Sequence, residues 1–204
     1  MAVRFAATRE RRRRILAAAL GCFSELGYAR TTMADICRKA QASTGSVYHH
    51  FKGKEQLAAG LYVEGIRHAL GTAAEALRRQ PGAEDGVKAL VGSYMTWIQA
   101  NPEMAAFCLR MRGSELLEPA TEALAQVNRE MEEGVLAWMA PHLESGALPV
   151  LEPTLYWAVL MGPSDHVARE WARDPERIDL ERYRPVLEDA AWTALRALRD
   201  SQRA

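Results

Sequence analysis

Apolar residues recur at helical spacing along almost the whole chain, and no segment shows sustained strand alternation. The pattern predicts an all-α protein. A first helix is expected from about Thr8 to Leu26, with Ile15 and Phe23 on its apolar face. Gly27 is expected to end this helix in a left-handed conformation.

Two short helices are predicted next, separated by a tight turn. Thr32 and Asp35 have the spacing of a capping box, in which a hydroxyl and a carboxylate bond the free amides at a helix start. Ser43 is expected to cap a third helix that runs through His50. Gln41 and Ala42 are left to form the turn between the two short helices.

A long fourth helix is predicted from about Lys54 to Arg79, because Pro81-Gly82 stops it. Later helix starts are marked by caps and prolines, at Asn101-Pro102, Pro119, Pro153 and Asp179. We expect the domain boundary within the fourth helix, which divides the chain into residues 1–55 and 56–204.

The formal net charge is zero, yet the charge is divided unevenly along the chain. Residues 1–60 hold eleven Lys and Arg against four Asp and Glu, a balance of +7, and the remainder carries −7. Such asymmetry indicates a basic segment that binds a polyanion, joined to an acidic body. From charge alone, a basic helix face in contact only with water explains the pattern equally well.

Cys22, Cys37 and Cys108 are too few and too scattered for a disulfide framework or a thiolate metal site, so neither a metal nor another cofactor is expected. Each lies in an apolar helical pattern and is expected in the core. The first residues lack an apolar signal segment, and the longest apolar run, residues 155–161, is too short to span a bilayer. These features predict a cytoplasmic protein with no membrane partner.

The third helix is the candidate for DNA recognition, because the major groove of DNA, about 12 Å wide, admits one α-helix. Thr44, Gly45 and Ser46 form a small polar surface at its start, whereas Val47 and Phe51 are expected in the core. The remaining side chains are expected to point outward: Tyr48, His49 and His50. The two histidines do not form a metal pair, because consecutive helical residues diverge by about 100°.

Two stretches of this region follow a known family pattern. They are Gly27-Tyr28-Ala29-Arg30-Thr31-Thr32-Met33-Ala34-Asp35-Ile36-Cys37 and Ala40-Gln41-Ala42-Ser43-Thr44-Gly45-Ser46-Val47-Tyr48-His49-His50-Phe51-Lys52-Gly53-Lys54-Glu55-Gln56-Leu57. Over these residues, roughly the first third of the chain, the sequence resembles the TetR family of bacterial transcriptional regulators.

The resemblance implies that Thr32 contacts phosphate and that Thr44, Gly45 and Ser46 face bases or backbone. It implies three further phosphate contacts, from Tyr48, His50 and Lys54. The chemistry agrees, because glycine permits close approach, hydroxyls bond phosphate without demanding a sequence, and lysine acts as a point charge.

Three residues depart from the family pattern. Gln41 replaces the usual turn glycine, and a left-handed conformation there would cost about 1 kcal/mol. Gly53 replaces the usual Ser or Asn cap of the fourth helix, and Cys37 replaces an alanine. The turn is therefore the part of the pattern that this chain follows least closely.

The C-terminal two thirds carry no catalytic motif, so an enzyme is not expected. Large and partly flexible apolar residues are candidates to line a pocket for an apolar or aromatic ligand, although for any one of them ordinary core packing is the simpler explanation. These candidates are Tyr94, Trp97, Met104, Phe107, Met111, Met131 and Trp138.

The last two predicted helices indicate a second copy of the chain as partner. One carries an apolar run, residues 155–161, that includes Tyr156 and Leu160, and the other has a wide apolar stripe. The stripe includes Val186, Leu187, Ala190, Ala194 and Leu198. The family resemblance also implies a dimer through these helices. The segment from Gly162 to Trp171 resembles a pattern found in part of the family near the dimer seam, which implies that His166 and Arg169 are interface or pocket groups. A simple place on the helix surface explains these two residues equally well.

We therefore expect an all-α protein with an N-terminal three-helix helix-turn-helix domain and a C-terminal helical ligand-binding and dimerisation domain. The expected function is a homodimeric repressor that binds a palindromic DNA operator and is released by a small molecule. The alternative is a helical ligand-binding or scaffold protein that does not bind DNA.

Overall fold

The computed structural model describes residues 2–203, and the side chains from Ala7 onward. Within this range all regular structure is helical, which confirms the all-α prediction. The α-helices are α1 (Ala2–Leu26), α2 (Met33–Ala40), α3 (Thr44–His50), α4 (Lys54–Arg78), α5 (Ala83–Ala100), α6 (Pro102–Met111), α7 (Thr121–Glu144), α8 (Pro153–Arg173) and α9 (Leu180–Arg203). A 3-10 helix, Glu115–Ala120, precedes α7.

Most helix starts lie where local capping chemistry predicted them. Thr32 and Asp35 form the capping box of α2, and the hydroxyl of Ser43 accepts from the amide of Ser46 at the start of α3. Proline occupies the first position of α6 and of α8. Because these interactions span only a few residues, the sequence alone identifies them.

Two helix starts differ from the prediction. α1 begins at Ala2 rather than near Thr8, and no proline or glycine before Thr8 opposes helix formation. Pro119 lies inside the 3-10 helix, and α7 begins two residues later at Thr121. Proline is tolerated just before an α-helix, because the N–H that it lacks would have no helical hydrogen-bond partner at that place.

The helices form two compact units. The first comprises the chain up to Ile66 together with Glu103–Ala125, and the second comprises Arg67–Pro102 and the chain from Gln126 onward. The division between the two compact units lies within α4, after Ile66. The functional domains of residues 1–55 and 56–204 stay a prediction.

Aromatic packing explains why residues 103–125 belong to the first unit. The ring of Phe107 stacks on that of Phe23, with centroids 5.7 Å apart and planes 8° from parallel. Met111 and Leu117 join the same core as Val47 of α3. The three cysteines are free and buried, as predicted, and burial raises the pKa of the Cys108 thiol to about 12.

The turn between α1 and α2 is held by two side chains. Gly27 adopts a left-handed conformation with φ of 77°, and the buried hydroxyl of Thr31 donates to its carbonyl at 2.8 Å. Lys54 Nζ donates to the carbonyls of Tyr28, Ala29 and Thr31, at 2.8, 3.2 and 2.9 Å. The same ammonium lies 4.5 Å from the centroid of the Tyr28 ring.

These contacts give Lys54 a structural role within the chain. An ammonium has three N–H donors, and three backbone carbonyls accept from this one. No donor is left for a phosphate unless a bond to the turn breaks. Lys54 therefore ties the start of α4 to the α1–α2 turn, and its phosphate contact stays a prediction.

In the second unit, α5 packs against α8 and α9. Gly86 of α5 lies against the indole of Trp138, so close that an added Cβ would lie 1.9 Å from a ring carbon. Glycine at this position is therefore required by packing. No helix in the described range has the length and apolar composition needed to cross a membrane.

We predict that Lys54→Ala lowers the free energy of unfolding by about 1.5–3 kcal/mol, because hydrogen bonds from a charged donor are lost and three carbonyls lose a partner. Urea unfolding followed by circular dichroism measures the change. The exposed Lys52 is the matched control, and its alanine variant should change the same quantity by less than about 0.5 kcal/mol. Equal effects of the two variants would contradict the role given to Lys54.

Candidate nucleic-acid interface

α3 divides into a buried face and an exposed face, as its sequence predicts. Val47 is fully buried and Phe51 is 3% exposed, and both belong to the core of the first unit. Thr44 and Gly45 are exposed, and Ser46 is half-buried. We call Thr44, Gly45 and Ser46 the base-contact surface, because they lie at the exposed start of α3, whose opposite face packs in the core.

Gly45 has open space around the position that a Cβ would take, with nothing within 4 Å. No neighbouring group in the chain therefore requires glycine at this position. A glycine that the fold does not need is consistent with close approach by an external partner. The exposed side chains that follow are Tyr48 and His49, while His50 is half-buried.

Gln41 confirms the strained turn that the sequence indicated. Its φ and ψ are 50° and 44°, and among the described non-glycine residues it alone has a positive φ. Its amide donates to the carbonyl of Arg38 at 3.2 Å, which ends α2. The left-handed conformation of Gln41 costs about 1 kcal/mol. It ends α2 and sets the direction in which α3 begins.

Thr32 is engaged within the chain rather than available to phosphate. Its amide donates to Asp35 Oδ2 at 3.0 Å, and its hydroxyl lies 2.6 Å from the same oxygen. These bonds, together with Arg38 at 3.2 Å, hold the pKa of the Asp35 carboxyl below its usual value. Both donors of Thr32 thus bond a carboxylate, which gives the residue a capping role, and its phosphate contact stays a prediction.

Arg11 of α1 lies beside α3, and sequence reasoning did not assign it to the site. It lines a shallow depression with Ser46, His49 and His50. The pKa of His50 is lowered, first by burial and then by the neighbouring charges of His49 and Arg11. A guanidinium at this place adds a positive charge next to the base-contact surface.

Part of the basic excess of the first unit is neutralised within it. Arg12 lies 3.7 Å from Glu64, and Lys39 pairs with Glu25. Arg38 also pairs with Asp35. Arg11 takes part in none of these three pairs and lies beside the base-contact surface.

The predicted ligand residues are divided between the two units. Met104, Phe107 and Met111 lie in the first unit, where they pack with the core around Phe23. Core packing is the simple explanation that the sequence left open, and the pocket role of these three residues stays a prediction.

The other predicted ligand residues lie in the second unit. Trp97 Nε1 donates to His68 Nδ1 at 3.1 Å, and Trp138 Nε1 donates to the carbonyl of Gln80 at 2.9 Å. The Tyr94 hydroxyl lies 3.5 Å from Asp165. Of the remaining two candidates, Met131 is buried and His166 is exposed. The two indoles and the tyrosine hydroxyl thus have partners within the chain.

The predicted interface residues fall into two groups. Tyr156, Leu160 and Leu187 are buried within the second unit itself, so periodicity identified a buried face whose cover is the same chain. The rest retain some exposure. Val186 is 66% exposed, Arg169 and Ala190 are exposed, and Ala194 and Leu198 are half-buried.

Comparison with known proteins supports the interpretation of the first unit. A family model described as bacterial regulatory proteins, tetR family, matches residues 15–61. The match spans the second half of α1, all of α2 and α3, and the start of α4, which include the elements that build the base-contact surface.

Three similar proteins extend the comparison. The HTH-type transcriptional regulator TtgR of Pseudomonas putida is 26% identical over 182 residues, covering 84% of each chain. UidR of Escherichia coli, also an HTH-type transcriptional regulator, is 33% identical over 109 residues, covering 47% of this chain and 55% of the relative. The structure of FadR from Bacillus subtilis in complex with stearoyl-CoA has the same fold, with a TM-score of 0.72 at 19% identity, covering 87% of this chain and 96% of FadR.

The relatives are named as transcriptional regulators rather than enzymes, and the match extends well beyond the helix-turn-helix. This finding sets aside the alternative of a scaffold protein without DNA-binding activity. The chain is a DNA-binding transcriptional regulator and belongs to the TetR family.

Proposed function

We propose that the chain acts as a homodimeric repressor that binds a palindromic operator and is released by a small molecule. The base-contact surface enters the major groove, and four side chains contact phosphates around it, namely Arg11, Tyr48, His49 and His50. The observation that supports this assignment most strongly is the exposed polar start of α3, backed by the buried Val47 and Phe51. The proposed setting is the cytoplasm, where bacterial DNA lies.

The dimer is supported by apolar side chains that the second unit leaves exposed. Val186 and Tyr183 of α9 are 66% and 37% exposed, and Leu155 of α8 is 49% exposed. Ala190 continues the exposed stripe one turn beyond Val186. A second copy related by twofold symmetry would cover these groups and would present two copies of α3 to inverted half-sites.

α4 contributes residues to both units, so ligand binding in one unit can be coupled to DNA binding by the other. A ligand that binds better to one arrangement of the dimer shifts the population toward it, and operator affinity falls if that arrangement misplaces α3. The FadR neighbour is described in complex with stearoyl-CoA. For this chain a small-molecule effector remains part of the proposal.

We predict that Arg11→Ala reduces the salt dependence of DNA binding. Loss of one phosphate contact should lower the slope of log affinity against log salt by about one unit. Fluorescence anisotropy with a labelled duplex between low and moderate salt measures the slope. Arg13, on the opposite side of α1, is the matched control and should leave the slope unchanged; equal slopes for wild type and Arg11→Ala would remove Arg11 from the interface.

We predict that Gly45→Ala weakens DNA binding without harming the fold. A methyl group there contacts nothing in the chain, so stability should stay equal or rise by up to about 1 kcal/mol. Against DNA the methyl group obstructs close approach, and affinity should fall about tenfold, or about 1.4 kcal/mol.

Gly71 of α4, also exposed and with open space around it, is the control for Gly45. Gly71→Ala should gain the same stability and keep full DNA affinity. If both alanine variants bound DNA as wild type does, the base-contact surface would be misplaced.

We predict that Val186→Glu weakens the dimer. Twofold symmetry brings two such carboxylates into one apolar interface, so the dissociation constant should rise at least about tenfold. Sedimentation equilibrium measures it. Ala137→Glu, at an exposed position of α7, is the control that should leave the dimer intact, and an unchanged dimer in the Val186 variant would refute the α9 interface.

A further inference from the structure

A shallow depression of about 400 Å³ lies between α1 and α3, beside the base-contact surface. Arg11 of α1 forms part of one side, and Ser46, His49 and His50 of α3 form the other. Among the described residues that line it, the charged or titratable ones are this arginine and the two histidines, and none is a carboxylate. The depression therefore offers positive charge and hydrogen-bond donors to an anion.

The two histidines differ in their surroundings. His49 is exposed, whereas His50 is half-buried, and its ring centroid lies 6.5 Å from that of Phe51. The rings of the two histidines lie 5.4 Å apart and are inclined by 71°. A half-buried imidazole next to an arginine and a second imidazole is a poor place for a proton as long as no anion is present.

The groups that act on His50 come from two helices. Burial is the largest cause of its lowered pKa, followed by the charges of His49 of α3 and of Arg11 and Arg12 of α1. Arg12 in turn lies 3.7 Å from Glu64 of α4, so part of its charge is balanced within the chain. His50 is consequently mainly neutral at neutral pH in the protein without DNA.

A phosphate in the depression would change this balance. Its negative charge would lie against Arg11 and would favour the imidazolium form of His50, which donates a hydrogen bond that a negative oxygen accepts. The same side chain would therefore bind a proton more readily in the complex than in the protein alone. A group with a higher pKa in the complex contributes affinity at low pH, and this contribution is lost as the pH rises through that higher pKa.

We propose that His50 takes up a proton when a DNA phosphate enters this depression, so that DNA binding tightens as the pH falls through the range in which histidine titrates. The inference rests on the proposed function, in which α3 faces DNA, and adds to it a dependence on pH. Linkage makes the effect reciprocal, because a proton that DNA helps to bind must in turn help to bind DNA.

Fluorescence anisotropy with a labelled duplex of mixed sequence measures the dependence, because phosphate contacts do not require the operator sequence. At one fixed low salt concentration, wild type should bind at least about threefold more tightly near pH 5.5 than near pH 7.5, since a rise of about one unit in a pKa is worth up to about tenfold in affinity. Equal affinities at the two pH values would overturn the proposal.

His50→Gln separates the imidazole from the other groups of the depression. Glutamine can donate to a phosphate but has no proton to gain, so the ratio of the two affinities should fall close to one. His166→Gln, at an exposed position of α8, is the matched control and should keep the wild-type ratio. A His50 variant that kept the full wild-type ratio would contradict the proton uptake by this residue.

His49→Gln tests the neighbouring imidazole. This variant should still bind the duplex more tightly at the lower pH, because His50 is retained. Loss of the pH dependence in the His49 variant, with the dependence intact in the His50 variant, would assign the proton to the other histidine and refute the proposal.

Nuclear magnetic resonance follows the proton on His50 itself. The imidazole C–H signal, assigned from its loss in His50→Gln, should titrate at a higher pH in the duplex complex than in the protein alone. This readout does not respond to a merely structural role of the side chain. A midpoint that stayed the same or fell on DNA binding would overturn the proposal.

The wild-type measurements keep this inference apart from the proposed function. Failure of wild type to bind the duplex at either pH would refute the DNA-facing role of α3, and the proposed function with it. Binding of equal strength at both pH values would refute the proton uptake alone and leave the proposed function standing.

Discussion

The first unit depends on how the turn between α1 and α2 is held. The chain must leave α1 through a left-handed glycine and enter α2 at Thr32, only a few residues later. Such a turn exposes several carbonyls that no helix satisfies, and Lys54 Nζ bonds three of them from the start of α4. The direction of α2, and through it that of α3, is therefore fixed by a residue far along the chain.

The hydrogen bonds of Lys54 and Thr32 within the chain limit which groups are free to face DNA. Lys54 and Thr32 resemble phosphate contacts by sequence, yet their donors bond the turn and Asp35. Arg11 is better placed, because it lies beside Ser46 and His49 and has no carboxylate among its neighbours in that depression. The interface thus combines small groups at the start of α3 with a cation contributed by α1, a separate helix.

The sequence predicted what is decided locally. The caps at Thr32 and Ser43 and the left-handed Gln41 follow from a few adjacent residues. The position of Phe107 in the core of the first unit could not be predicted from the sequence. Its partner Phe23 is more than eighty residues away, and periodicity shows only that a helix face is buried. The same limit holds for Tyr156, because its apolar run does not reveal that the side chain is buried within its own unit; its place at the dimer interface stays a prediction.

Selection of bound sequences from a pool of random DNA duplexes tests the central claim most directly, because it requires the two copies of α3 to act together. The account predicts enrichment of two inverted copies of one short half-site, with centres about one helical turn of DNA, or a multiple of it, apart. Recovery of no preferred sequence, or of a single half-site without an inverted partner, would contradict it.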